Sequence, residues 1–238
     1  MKATAIILML FLAVSTFAVD LPVYCTFDSD TPGSPPALGG PHQPSEISTP
    51  PGGSILVQAD ANGIASQPCV IDDGGTGNYG LIAFMFEPIS TQIIRMEALL
   101  SLNQLMNSYP IQTIDSQAIV AFRMGVNNLG EINDYLGTVL GTYTPGVPFA
   151  VRIDANTINE TWSCTIDDEL NGFEDDFTHT GLEYVNNPDL IIDLKYLTFC
   201  TNTWDTAGTS ILAVDNVRIE LMGTDIDQTT WSGIKALY

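Results

Sequence analysis

Positive charge is what this sequence has least of. Seven Lys and Arg stand against 28 Asp and Glu, a formal charge of −21 over 238 residues. Nucleic acid is thereby excluded as a partner, because binding it needs clustered cations to neutralise phosphates. An anionic membrane surface is disfavoured on the same ground. Histidine adds little positive charge, with two in the chain. His42 lies in a Pro-rich stretch and His179 in an acidic one, and both read as solvated loop residues. No G-x-S-x-G elbow accompanies them, so nothing supports a histidine-activated nucleophile. HExxH, P-loop and GxGxxG patterns are missing too, which sets aside zinc-protease and nucleotide chemistry. The apolar run Ala5 to Val14 is too short to span a bilayer.

That run has a different meaning. It follows Met1-Lys2 and leads to the small-residue site Thr16-Phe17-Ala18, the succession of a secretory signal peptide over residues 1–18. The expectation is a secreted or cell-surface protein with no membrane insertion after cleavage. Cys25, Cys69, Cys164 and Cys200 would then meet an oxidising compartment and form two disulfides. Three pairings are open. The shorter loops favour Cys25–Cys69 and Cys164–Cys200. Zinc competes poorly, since no CxxC or HxxxH spacing exists. Pro22-Val23-Tyr24 before Cys25 lacks the small residues of a lipidation site.

The rest of the chain suits one β-rich domain over 19–222, with a tail over 223–238. Its 45 % hydrophobic and 9 % aromatic content is ample for a core. Asp28 to Gly53 holds seven prolines and five glycines and excludes helix or central strand. Apart from Val23 to Phe27, strand candidates are Ile55–Ala59, Leu81–Phe86, Ile93–Leu102, Ala118–Val126, Phe149–Asp154, Trp162–Asp167, Leu194–Cys200 and Ile211–Leu221. Phe149, Val151 and Ile153 share a face opposite Arg152, and Trp162, Cys164 and Ile166 alternate with polar residues. Asp154 to Thr161 joins them as a polar hairpin, so the pair predicts an antiparallel sheet with one wet face. Met96 to Met106 is rich in helix formers and competes as a three-turn helix; the surrounding pattern favours strand for its first half.

Three segments carry a family likeness. Phe27-Asp28-Ser29-Asp30-Thr31-Pro32-Gly33 opens the domain, Tyr143-Thr144-Pro145-Gly146 precedes the hairpin, and Leu212-Ala213-Val214-Asp215-Asn216-Val217-Arg218-Ile219 closes the domain. Together they resemble bacterial extracellular concanavalin A-like (laminin G-like) jelly-roll β-sandwiches, and more loosely carbohydrate-binding modules built on such sandwiches. The resemblance implies an all-β, antiparallel jelly-roll β-sandwich of two packed sheets. It also implies a structural calcium, with Asp28 or Asp30 at the front and Asp215 at the back as ligands; the competing reading is turn-capping aspartates. The tail Thr230 to Tyr238 resembles a W-G-x-I-K-x-L-Y/F ending carried by assorted exported bacterial proteins.

Within that family, glucanases carry E-x-D-x-x-E on one strand. Glu131-Ile132-Asn133-Asp134 has its Asp one position late, so the two acids face opposite sides of a strand. This argues against catalysis. An enzyme reading, glycosidase or polysaccharide lyase, would need two of Glu131, Asp134, Asp154 and Asp167 to converge in one cleft. Asp167-Asp168-Glu169 with Glu174-Asp175-Asp176 is dense enough for cations but reads first as a solvated loop. Sugar binding needs an aromatic platform with amides beside it. Trp204, Tyr135 and Asn133 are the leading candidates, with Tyr143, Asn127 and Asn128 behind them. Trp162 belongs in the core by its strand face. The expected function is a non-catalytic, glycan-binding extracellular module. A structural or adhesive surface protein is the further alternative.

Overall fold

A computed structural model describes residues 18, 21–75, 79–174, 176–185, 191–202 and 209–222. The tail 223–238, and all of the expected signal segment except Ala18, lie outside the described residues. The described residues form fifteen strands and no helix. One sheet runs β13 (Thr178–Glu183), β12 (Thr161–Asp167), β11 (Phe149–Asn156), β6 (Ile93–Leu102), β15 (Ile211–Met222), β4 (Cys69–Asp72) and β3 (Ser54–Val57), and β1 (Val23–Cys25) also pairs with β15. The other runs β10 (Val139–Thr142), β9 (Glu131–Asp134), β8 (Val120–Val126), β7 (Ser108–Ile114), β14 (Leu194–Asn202), β5 (Tyr79–Ile89) and β2 (Glu46–Ser48). Every pairing is antiparallel.

The β11–β12 hairpin shows how sequence sets register. Ile153 sits opposite Cys164 and Val151 opposite Ile166, so the apolar sets of both strands share the inner face. Asn156 closes the turn by accepting the N–H groups of Ile158 and Asn159 at 3.0 and 3.2 Å. A one-residue slip would send both sets to solvent. The inner faces of the two sheets meet over Phe84, Phe86, Phe122, Phe149 and Phe199, all fully buried. Trp162, 2 % exposed, stacks on Phe122 with ring centroids 4.7 Å apart, and donates its indole N–H to the Glu183 carbonyl. It is a core residue, as its strand face predicts.

Met96 to Leu102 is strand. Pairing on both sides, to β11 and to β15, satisfies its backbone and overrides the helix propensity of the segment. The Pro-rich stretch contributes one short strand, β2, and it lies at a sheet edge as proline density demands.

The four cysteines fall into two different settings. All four are buried free thiols in this structure. Cys164 points into the core from β12, whereas Cys200 lies on the outer face of the other sheet, in a small cluster with Leu81 and Ala83. A Cys164–Cys200 bridge would have to pass through a sheet. Cys25 and Cys69 are placed differently. Both β1 and β4 pair with β15 along the same edge, with Cys25 opposite Val217 and Cys69 opposite Val214, and both side chains enter the core.

The outer face of the eight-stranded sheet is held by ion pairs. Arg95 bonds Asp154 through two nitrogens, at 2.7 and 2.8 Å. Glu97, 4 % exposed, lies between Arg152 at 2.7 Å and Arg218 at 3.7 Å, and Arg218 also reaches Glu220 at 2.6 Å. Phe173 covers Arg152 and Tyr24 covers Arg218.

Candidate functional site

The outer face of the seven-stranded sheet is built from the alternate residues that the core does not use. In β8, Phe122, Met124 and Val126 point inward, which leaves Arg123 and Gly125 outside. In β9, Ile132 points inward and Asn133 stands opposite Gly125. Tyr135 follows just beyond that strand, and Tyr109 rises from β7. The Arg123 guanidinium carbon is 4.5 Å from the Tyr109 ring centre and 4.4 Å from that of Tyr135. The two rings lie 6.2 Å apart and tilted by 42°, so the guanidinium fills the angle between them.

Gly125 makes this arrangement possible. A Cβ there would fall 2.7 Å from Asn133 Oδ1 and 3.2 Å from the Tyr109 ring, too close for either to stay. Tyr135 is 44 % exposed and offers a ring to solvent. Burial raises the Tyr109 hydroxyl above its ordinary value, while the nearby Arg123 charge pulls it down.

The neighbouring strands close the floor of this face. Gln112 donates to Cys200 Sγ at 3.0 Å, and that thiol lies 3.0 Å from the Tyr109 carbonyl. Thr198 donates to the Gln112 carbonyl at 3.2 Å. Burial holds Tyr79, beside Cys200, far above its usual range. These groups satisfy one another and hold the tyrosine–arginine group in place.

Other sugar candidates fall elsewhere. Trp204 lies outside the described residues. Tyr143 is buried, and its hydroxyl accepts the Met106 N–H at 3.0 Å. Asn127 caps a turn, accepting from Leu129 and Glu131, and Asn128 is exposed beside it. The structure thus brings Asn133 and Tyr135 together and adds Tyr109 and Arg123, which sequence reading missed. A lone Arg at an outward position of an apolar strand, in a chain so poor in cations, was the available signal.

The four carboxylates weighed for catalysis are dispersed. Glu131 accepts from Asn127 at 2.7 Å, and Asp134, 5 % exposed, caps the turn at Thr138. Asp154 is paired with Arg95 on the opposite sheet. Asp167, 1 % exposed, accepts the N–H groups of Asn171, Gly172 and Phe173 at 3.1, 2.8 and 2.9 Å. It is the loop's internal anchor, while Asp168, Glu169 and Glu174 face solvent and Asp175 lies outside the described residues. His42 is exposed beside Tyr24, and His179 is on strand β13 rather than in a loop, against the Phe177 ring.

The third place of interest is a bulge in β15. The register shifts between Asp215 and Arg218, and Asn216 takes a left-handed φ of 50°. Asp215 is fully buried there, accepting from the Ser66 hydroxyl and from the Asn216 N–H. Desolvation pushes its carboxyl up to about 6, and the charge of Asp28 adds to the rise. No ion pair compensates it among the described residues. Beside it, the carbonyls of Phe27, Asp28 and Asp30 gather around the side-chain nitrogen of Gln67 at 3.5, 2.8 and 3.5 Å. The Asp28 side chain itself is exposed, and no three Asp, Glu, His or Cys side chains converge among the described residues. The main-chain oxygens of Asp28 and Asp30 accept from Gln67 rather than turning toward Asp215.

The fold is matched in solved structures. The fold is a jelly-roll β-sandwich. A lectin, UEA-II complexed with galactose, is similar at a TM-score of 0.54 and 8 % identity, over 86 % of this chain and 99 % of that one. A cellulose-induced protein, Cip1, is similar at 0.52 and 15 % identity, over 76 % and 91 %. A sialidase is similar at 0.54 and 12 % identity, over 75 % of this jelly roll but only 17 % of its own length. At such identities the likeness is one of fold. No family model matches the sequence, and no curated protein does.

Proposed function

We propose that this jelly roll is an exported, non-catalytic glycan-binding module that uses the outer face of its seven-stranded sheet. The observation that carries the reading is the grouping of Tyr109, Arg123, Asn133 and Tyr135 over Gly125. An exposed ring supplies the apolar platform on which a pyranose face stacks, and Asn133 supplies amide contacts to hydroxyls. That a lectin of this fold is complexed with galactose supports the assignment. The dispersal of Glu131, Asp134, Asp154 and Asp167 supports binding without hydrolysis.

Calcium belongs to the same proposal as a structural ion at the β15 bulge. Asp215 would hold it, with main-chain oxygens of Asp28 and Asp30 once the Gln67 amide turns away from them, neutralising the buried carboxylate. The test is a glycan array probed with the oxidised mature chain in calcium buffer, beside the Tyr109→Ala/Tyr135→Ala double variant. Binding by the parent and its loss in a folded double variant is the expected result. No binding to any glycan would overturn the reading, and release of sugar fragments from a bound glycan would overturn its non-catalytic part.

A further inference from the structure

Arg123 differs from every other arginine in the chain. The sequence holds four, and three of them (Arg95, Arg152 and Arg218) lie on the outer face of the eight-stranded sheet with carboxylates at 2.7, 2.7 and 2.6 Å. Arg123 lies on the opposite outer face, with no carboxylate and no hydrogen bond among the described residues. Its Nε is buried and has no acceptor. The two tyrosine rings attract its charge, but a ring face offers no oxygen to a guanidinium edge.

That combination is costly unless something completes it. A buried N–H without an acceptor loses its hydration and gains nothing in return. Among the described residues, no carboxylate forms an ion pair with Arg123. The planar fork of a guanidinium matches two oxygens of one anion. An anionic group from outside would supply both oxygens.

Resting on the glycan-binding reading, we infer that the ligand is an acidic glycan, whose anionic substituent docks on Arg123 while its ring lies against Tyr135. The shared chemistry is an oxyanion on a pyranose, either a uronate carboxylate or a sulfate ester. With a net charge of −21 the protein as a whole repels such a polymer, so no diffuse attraction can substitute for this contact. Loss of Arg123 should accordingly remove binding rather than trim it.

The experiment measures affinity of the oxidised mature chain for three polymers: a polyuronate, the same polyuronate with its carboxyl groups reduced to neutral hydroxymethyls, and a sulfated galactan. The expected result is binding to the polyuronate or the galactan, and at least about tenfold weaker binding to the reduced polymer. Arg123→Gln should lose at least about tenfold on the charged polymer, and Arg123→Lys should recover only part of that, because it keeps the charge and loses the fork. Preference between uronate and sulfate tells which substituent is read. Equal affinity for charged and reduced polymers, or an unchanged affinity in Arg123→Gln, would overturn the inference and leave glycan binding standing. Failure to bind all three polymers, together with any neutral glycan on the array, would overturn both. The parent's comparison of charged with reduced polymer stands even if a variant does not fold.

Discussion

Replacing Asp215 by Asn in the metal-free protein should stabilise it at neutral pH, although the residue is fully buried and hydrogen-bonded. The carboxyl titrates at about 6 in the fold because desolvation penalises its charge. In the unfolded chain it titrates at about 3.9. A folded value above the unfolded one means that stability is fully present below pH about 4 and is lost as pH rises through about 6. The difference of about two pH units is worth about 3 kcal/mol at pH 7.5, at 1.36 kcal/mol per unit. For a domain of this size that corresponds to roughly 6–12 °C in Tm. Asn keeps an oxygen for the Asn216 N–H, and the Ser66 hydroxyl can turn to accept from the amide. The assay is thermal unfolding in excess chelator at pH 7.5 and at pH 4. The variant should melt higher than the parent at pH 7.5 and close to it at pH 4. With calcium the order should reverse, because only the parent supplies the carboxylate that the ion neutralises. A variant that melts lower than the parent in chelator at pH 7.5 would refute the claim that this charge is uncompensated.

Three further outcomes follow from packing and pairing. Trp162→Ala should cost about 3–5 kcal/mol in chemical denaturation through loss of a core ring stacked on Phe122, and the variant should keep glycan affinity while folded, since the ring lies on the core side of the sheet. Asp167→Ala should cost about 3 kcal/mol and open Asp168–Glu174 to protease, because three N–H groups lose one shared acceptor; an unchanged digestion pattern would contradict that role. Native alkylation at pH 8 should leave all four thiols unmodified, since burial pushes Cys25 up to about 12 and Cys200 to about 11 and raises Cys69 and Cys164 as well. Peptide mapping after oxidation should give Cys25–Cys69, worth about 4 kcal/mol for a loop of that span, and a Cys164–Cys200 peptide would contradict the fold.

Much of this architecture was legible in the chain because its central strands bury one face or both. Ile93–Leu102 is bounded as its composition predicts, and β8, β11, β12, β14 and β15 match their candidates to within a few residues. Strands such as β4, β7, β10 and β13 went unmarked because they are short, interrupted by Pro110 or polar at the edge, where local pattern is weak. Loop length is a poor guide for Cys164 and Cys200, since chain separation says nothing about which face of which sheet a thiol occupies. At the site, Asn133 and Tyr135 are close in sequence and were found together. Tyr109 and Arg123 were not, since what distinguishes Arg123 is the absence of a carboxylate across space. The two front aspartates were visible as residue types, whereas the engagement of their main-chain oxygens by Gln67 depends on the backbone alone.

The most direct test of the account is to locate the bound sugar. Amide chemical shifts of the isotope-labelled mature chain should be followed while an oligosaccharide identified on the array is added. The account predicts that Gly125, Asn133, Tyr135 and their neighbours in β7 and β8 move, with Arg95 and Arg152 unaffected. Shifts confined to the ion-paired face of the eight-stranded sheet, with the Arg123 face silent, would contradict it.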